Sequence, residues 1–449
     1  MLNKLTNFFV KFMQRYMPDP FLFVVVLTFV TFILAKVFTT TSIVDMIDYW
    51  YSGLWKILSF AMQMILILVT GYTLAETKPI KIALFKLASI VKSQHSGAVI
   101  IFITAAIASF INWGLGLIIG AILAKEVAKK LDNRGIKADF GYIVAAAYMG
   151  FIVWTSGLSS SIALIIATPK SELNFIEQNT GYLAPLSETV FATYNLIGVM
   201  LIVIFLIIYL YFTRLKDSDI KNIKASVLES FDKETSKGQK TSIKKTQENT
   251  FASKLENAWI LSLIIFVLGI IYLFRSGLSM DINKFIFIMF LAGIILHFKP
   301  ITYVKAFNDA AKVSGPLILQ YPLYGGIMGL IINSGLANVI AGWFISFSTQ
   351  YTLPFWSFIS SIIISIFIPS GGGHWAVQGP IMVPAAMELH ASQAKVAMAI
   401  AYGEQVANMI QPFWALPILA IAKLGAKDIM GYCVVAFILG TIVYGSILF

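Results

Sequence analysis

Residues 368–380 read IPSGGGHWAVQGP and follow an apolar run, so a serine, three glycines, a histidine and a glutamine stand in the middle of greasy sequence. Consecutive glycines permit positive φ angles and close backbone approach, and so can expose amide N–H groups. A helix starting there adds the positive end of its dipole, roughly half a charge, at the same spot. Such a tip favours a carboxylate. Ser370, the amides of Gly371, Gly372 and Gly373, and His374 are the candidate donors, with Gln378 as a further polar contact. A tight turn or a helix-packing site would also use glycines, but it would not need these polar side chains. His374 could serve as a zinc ligand, a general base or a donor to an anion. Zinc takes about four ligands, and no second histidine, cysteine or paired acid lies at suitable spacing. His95, His297 and His390 all fall near the edges of apolar runs.

The stretch AYGEQVANMIQPFW at 401–414 places Glu404 deep in apolar sequence, followed by Gln405, Asn408 and Gln411, and Pro412 can open a second half-helix. Spacings of four and seven put Glu404, Asn408 and Gln411 on one face if the helix persists that far. A membrane carboxylate is by default functional, holding a proton or a cation; the alternative is a neutral, hydrogen-bonded structural glutamate. Around Gly157, the hydroxyls of Thr155, Ser156, Ser159, Ser160 and Ser161 form a second polar interruption, although hydroxyls in membrane helices commonly bond back to their own backbone. INWGLG at 111–116 offers Asn112, Trp113 and Gly114, whereas the Gly116/Gly120 pair reads best as helix packing.

The elements that must position these residues are membrane helices. The chain has 449 residues, 58% hydrophobic and 12% charged, with a mean hydropathy of +0.82, beyond what a soluble domain tolerates. Full crossings are expected near 20–38, 56–75, 139–168, 190–213, 258–274, 283–298, 313–333, 395–422 and 429–449. Re-entrant hairpins are expected at about 97–131 and 354–388, giving an all-α polytopic protein of about nine crossings plus two hairpins. The first apolar run, behind Lys4, Lys11 and Arg15, lacks a small-residue cleavage site and is expected to be a retained helix. The single cysteine, Cys433, excludes an internal disulfide or a thiolate cluster. The net charge of +11 lies mostly in loops, which fits the positive-inside rule and anionic lipid rather than nucleic acid. Placing every basic loop on one side puts the N-terminus in the cytoplasm and the C-terminus outside. No G-x-x-x-x-G-K-[ST] motif occurs, so energy must come from gradients rather than nucleotide.

Shifting the first half by 258 residues lays Gly71 on Gly329, Ala83 on Ala341 and INWGLG on PSGGGH; a shift of 254 lays Ala147-Tyr148 on Ala401-Tyr402. The expected organisation is a first repeat over 1–213 with its broken helix at 139–168, and a charged cytoplasmic linker over 214–257. A linking helix and a second repeat with its broken helix at 395–422 then fill 258–449. The linking helix inverts the second repeat, and inverted repeats with matching interruptions mark a secondary transporter with a midplane site.

At IPSGGGHWAVQGP, AYGEQVANMIQPFWALP and INWGLGL, and also at PDPFLF (18–23) and AKDIMGY (426–432), the sequence resembles the short-chain fatty acid transporter family over nearly its whole length. These are bacterial inner-membrane proteins linked to uptake of acetoacetate, butyrate and similar acids. The family is similar to a wider ion transporter superfamily in which a hairpin domain moves as an elevator against a scaffold. The resemblance implies that Asn112, Ser370, His374, Glu404 and Asn408 belong to a substrate and ion site, and that the protein pairs with a second copy. Gly157, Ser159 and Ser161 match the family's glycine-rich pattern, whereas Thr155, Ser156 and Ser160 do not and are set aside.

The expected function is symport of short-chain monocarboxylates with Na⁺ or H⁺, with no other cofactor and no bound metal beyond the coupling ion. In this scheme Asn112, Asn408 and unwound carbonyls coordinate Na⁺, or Glu404 carries H⁺, with Gln405 nearby. Trp113, Trp375 and Trp414 line a pocket for the alkyl end. The rivals are a dicarboxylate or other organic anion carrier, an intramembrane acyl-transferring enzyme using His374 and a serine, and a passive channel.

Overall fold

The computed structural model describes residues 20–213, 250–277, 279–411 and 413–449, together with 220, 223 and 227. Most of the charged linker, the basic N-terminal residues Lys4, Lys11 and Arg15, and Pro412 lie outside the described residues.

The first half forms α1 (Pro20–Phe38), α2 (Ile43–Lys56), α3 (Leu58–Ala75), α4 (Lys78–Ile90), α5 (Gln94–Ile111), α6 (Trp113–Asn133), α7 (Phe140–Met149), α8 (Ser161–Ala167), α9 (Phe175–Thr180) and α10 (Thr193–Phe212). A short α11 (Phe251–Glu256) and then α12 (Trp259–Arg275) lead into the second half. That half comprises α13 (Ile282–His297), α14 (Pro300–Ala311), α15 (Gly315–Asn333), α16 (Leu336–Phe347), α17 (Leu353–Ser365), α18 (Gly371–Glu388), α19 (Gln393–Ala407), α20 (Leu416–Ala422) and α21 (Ala426–Ser446). Side-chain oxygens of Ser42, Ser93, Asp139, Asp281 and Ser392 accept the orphan amides at the starts of α2, α5, α7, α13 and α19.

Among the described residues, six helical stretches are long and apolar enough to cross a membrane: 21–38, 58–75, 94–111, 193–212, 300–333 and 426–446. The outer face of α1 exposes Val26, Phe29, Ile33 and Val37, and that of α12 exposes Ile264, Leu268 and Ile271. Apolar side chains outward and polar groups inward is the arrangement that lipid demands. In contrast, α7 is buried at every position, and α18 at nearly every one, so these two form the centre.

Neither broken segment is a continuous span. α7 runs through a 3₁₀ turn (Gly150–Val153) into irregular chain before α8, and α19 stops at Ala407 before the seven-residue α20. α5 and α6 are separated by Asn112 alone, whose backbone is extended (φ −150°, ψ 124°). α17 and α18 are joined through residues 366–370, with Ser370 likewise extended.

Contacts between the halves are reciprocal. α1 and α2 pack on α15, whereas α13 and α14 pack on α3. α3 and α4 lie against α6 as α15 and α16 lie against α18, and α5 runs along α7 as α17 runs along α19. The α2/α15 crossing is close enough that a β-carbon on Gly53 would sit 2.4 Å from the Gly325 carbonyl oxygen, and one on Gly325 2.6 Å from that of Gly53. Only glycine fits such an approach.

Candidate functional site

Three of the four interruptions meet at the start of α18. A β-carbon on Gly371 would lie 2.3 Å from Ser161 Oγ, 2.8 Å from Glu404 Oε2 and 2.9 Å from the Trp154 ring. Residues from α18, α8, α19 and the broken segment after α7 therefore share one point. Glu404 and Ser161 are buried, and the described residues provide no hydrogen-bond partner for either carboxylate oxygen or for Ser161 Oγ.

The triplet Gly371, Gly372 and Gly373 forms the first turn of α18. The glycines do not use positive φ, which among the described glycines occurs at 135, 181, 277 and 335. Their smallness is what matters, because the Phe60 ring lies 2.1 Å from a β-carbon on Gly372 and the Tyr324 ring 2.4 Å from one on Gly373. Scaffold aromatics from α3 and α15 thus fill the space side chains would take. The Ser370 side chain does not cap the helix; its hydroxyl donates to Tyr321 Oη at 2.9 Å. The first backbone bond of the turn, from His374 N to Ser370 O, is 2.6 Å long, and the amides before it have no intrahelical acceptor.

The first tip is built from the same parts but is closed. Asn112 Oδ1 accepts from Leu115 N at 2.9 Å and its Nδ2 donates to Ile67 O on α3 at 3.1 Å. Trp113 N donates to Ser159 Oγ at 2.9 Å. Asn112 and Ser159, expected to face ligand, are thus a cap and an acceptor for this tip. Gly114 sits beneath the Leu68 carbonyl and Gly157 against the Phe110 backbone, where Leu158 N donates to Phe110 O at 2.7 Å.

The expected helical face holds from Glu404 to Asn408, whose N–H still bonds Glu404 O at 3.0 Å, and is lost before Gln411, where the chain tightens into i→i−3 turns. Asn408 Oδ1 accepts from Trp154 Nε1 at 3.0 Å. Its Nδ2 and Gln411 Oε1 have no partner. The unwound carbonyls of Asn408 and Gln411, proposed cation ligands, accept from Tyr148 Oη at 2.7 and 3.2 Å. Gln405 points away from Glu404: its Oε1 accepts from Thr155 Oγ1 (2.6 Å) and from Ser156 N and Oγ (both 3.2 Å), and its Nε2 donates to Ser156 Oγ at 2.9 Å. Thr155 and Ser156, set aside on sequence grounds, bind the two broken helices together.

Gln378 lies a turn beyond the tip. Its Nε2 donates to Ser357 O and Ser360 Oγ, and its Oε1 accepts from His374 Nε2 at 2.6 Å. It braces His374 against α17 instead of facing the tip. His374 Nδ1 is buried without a partner.

The expected tryptophan trio does not assemble. Trp375 turns away, donating to Leu173 O at 2.8 Å and packing on Phe175. Trp113 meets Trp414 edge-on at 5.0 Å and Trp154 at 6.1 Å, and Trp414 Nε1 donates to Pro369 O. Trp154, Tyr148, Tyr321, Tyr324 and Phe60 escaped the sequence reading. Of these, the three-residue spacing of Tyr148, Phe151 and Trp154 before a break was a readable signal.

A family model described as "Short chain fatty acid transporter" matches residues 1–449. Two curated relatives, from Haemophilus influenzae and Escherichia coli K12, carry provisional names as short-chain fatty acid transporters. Each is 38% identical, over 448 and 454 residues, covering 98% and 99% of this chain and 97% and 98% of their own lengths. Among solved structures, the Alcanivorax borkumensis YdaH transporter has a TM-score of 0.58 at 13% identity, covering 96% of this chain and 98% of that one. Neisseria gonorrhoeae MtrF, described as illuminating a class of antimetabolite efflux pumps, has a TM-score of 0.50 at 13% identity, covering 98% of this chain and 96% of that one. At this identity the likeness to the two structures is one of fold. None of these proteins is described as an enzyme.

Proposed function

Because this chain belongs to the short-chain fatty acid transporter family, we propose that it is a secondary symporter of short-chain monocarboxylates such as butyrate or acetoacetate, driven by H⁺ or Na⁺ across the bacterial inner membrane. The observation that carries this reading is the meeting of Gly371, Ser161 and Glu404 at the open end of α18. The first-turn amides of α18 would hold the carboxylate, since an N-terminal turn is an anion site, with the Ser370 hydroxyl joining them when it exchanges its bond to Tyr321 Oη for one to the ligand. An anion there faces the Glu404 carboxylate. At about 5 Å and an effective dielectric of about 20, two like charges repel by about 3 kcal/mol, roughly a hundredfold in affinity. A cation at Glu404 and Ser161 would therefore raise the affinity for the acid by about that factor, and this coupling favours their movement together.

The reciprocal packing of the halves supports two inverted repeats whose hairpins and broken helices move as an elevator past α3 and α15, with the N-terminus in the cytoplasm and the C-terminus outside. In this scheme two copies of the chain pair in the membrane. An acyl-transferring enzyme is disfavoured, because the serine nearest His374, Ser361, already donates to Ile400 O at 2.6 Å.

The test uses purified protein in liposomes, with protein-free liposomes correcting for leak of the neutral acid. An inward H⁺ or Na⁺ gradient should drive accumulation of labelled acetoacetate or butyrate. Glu404→Gln should still exchange labelled for unlabelled acid but should no longer accumulate it. Failure of both gradients to drive uptake of any short acid would reject symport, and net export under the same gradient would reverse the direction.

A further inference from the structure

We infer that Trp154 sets the length of acyl chain the site accepts; this rests on the carboxylate lying at the α18 tip. Tyr148, Phe151 and Trp154 follow one another at intervals of three. The Gly150–Val153 segment between them is 3₁₀, in which residues three apart eclipse one another. Their rings therefore stack as a ladder: Tyr148 on Phe151 at 6.1 Å and 15°, and Phe151 on Trp154 at 5.3 Å and 16°.

Both ends of the ladder are fixed. Tyr148 Oη donates to the Asn408 and Gln411 carbonyls, and Trp154 Nε1 donates to Asn408 Oδ1. Trp154 is 3% exposed, and its outer ring edge would lie 2.9 Å from a β-carbon on Gly371. The ring edge is thus an apolar stop against the first residue of the proposed anion-binding turn, held by a stack on one side and a hydrogen bond on another. An acid whose carboxylate sits on that turn must run its carbons along this edge or stop at it. The ring cannot swing aside without breaking the Asn408 bond and the stack, so it admits short chains and refuses long ones.

The experiment measures inhibition of labelled butyrate uptake by acetate, butyrate, hexanoate and octanoate in liposomes bearing wild type, Trp154→Phe or Trp154→Ala. A methylene in an apolar pocket is worth about tenfold or more in discrimination, so hexanoate and octanoate should gain at least about tenfold relative to butyrate in Trp154→Ala. Trp154→Phe should fall between, because it keeps the stack but shortens the ring. If both variants weaken all four acids in equal proportion, or if Phe and Ala behave alike as loss of the Nε1 bond would dictate, Trp154 positions Asn408 and does not measure chain length. If wild type takes up no acid under any gradient, the reading beneath falls, and this inference with it. Melting of each variant in detergent, with and without butyrate, separates misfolding from altered selectivity.

Discussion

His374 shows how a side chain picked out by its type can take a different part once its neighbours are known. Gln378 Nε2 is engaged by Ser357 O and Ser360 Oγ, so Gln378 faces His374 with its carbonyl oxygen. His374 Nε2 must then carry the hydrogen, which leaves Nδ1 as a bare lone pair in the neutral ring. A lone pair repels a carboxylate, so in the proposed site the donor role expected for His374 falls to the amides before it. Its ring instead ties the start of α18 to α17, where Ser361 Oγ lies 3.3 Å from Nε2. Replacing it with glutamine should lower the maximal uptake rate severalfold and the melting temperature, with the apparent KM for butyrate within about twofold, because ground-state binding is not what it supplies. Saturation kinetics in liposomes check this. A tenfold rise in KM at unchanged maximal rate would put His374 on the substrate. The depth of Glu404 was readable from its position in apolar sequence. The roles of Gln405 and Gln378 were not, because their partners Thr155, Ser156, Ser357 and Ser360 come from other helices.

At the level of the elements, the two hairpin tips match in position and differ in state. Asn112 closes the first by capping α6 and bonding α3, while Ser370 leaves the α18 amides uncapped and turns its hydroxyl to Tyr321. Asn112→Ala removes an N-cap, worth about 1 kcal/mol, and strands a buried carbonyl at Ile67, costing about 1–3 kcal/mol more. It should lower the melting temperature in detergent by several degrees with little change in KM. Ser370→Ala strands the buried Tyr321 hydroxyl and should also lower melting, but unlike Asn112→Ala it should raise KM several-fold. Paired melting curves and uptake kinetics decide between the tips, and equal effects of the two substitutions would mean that the second is not the binding tip. The interruptions themselves were legible because glycine, asparagine and serine in an apolar run are visible residue by residue. Which interruption is closed was not, since Asn112 and Ser370 are both small polar residues and only the carbonyl or hydroxyl that each meets distinguishes them.

For the whole molecule, the hairpins rest on α3 and α15 through close contacts that an elevator motion must break. Gly114 on α6 is one: its β-carbon would sit 2.8 Å from the Leu68 carbonyl oxygen on α3, so even a methyl there wedges the hairpin off α3. Gly114→Ala should therefore lower the melting temperature in detergent by several degrees and slow uptake in liposomes severalfold. Unchanged melting and undiminished uptake would refute close packing of the first hairpin on α3. By itself the amino-acid sequence determined that this is a polytopic membrane protein, with polar interruptions near 112, 157, 371 and 408 and one deep carboxylate. These features reside in composition and local spacing, which a chain carries wherever it folds. Only the tertiary structure decided which polar groups are already paired and which are left for a ligand. Bonds such as Thr155 to Gln405, Tyr148 to Asn408 and Trp154 to Asn408 span some 250 residues of chain. Burial forces each polar group to find a partner, and the choice among many similar hydroxyls and amides depends on helix placement that no local spacing encodes.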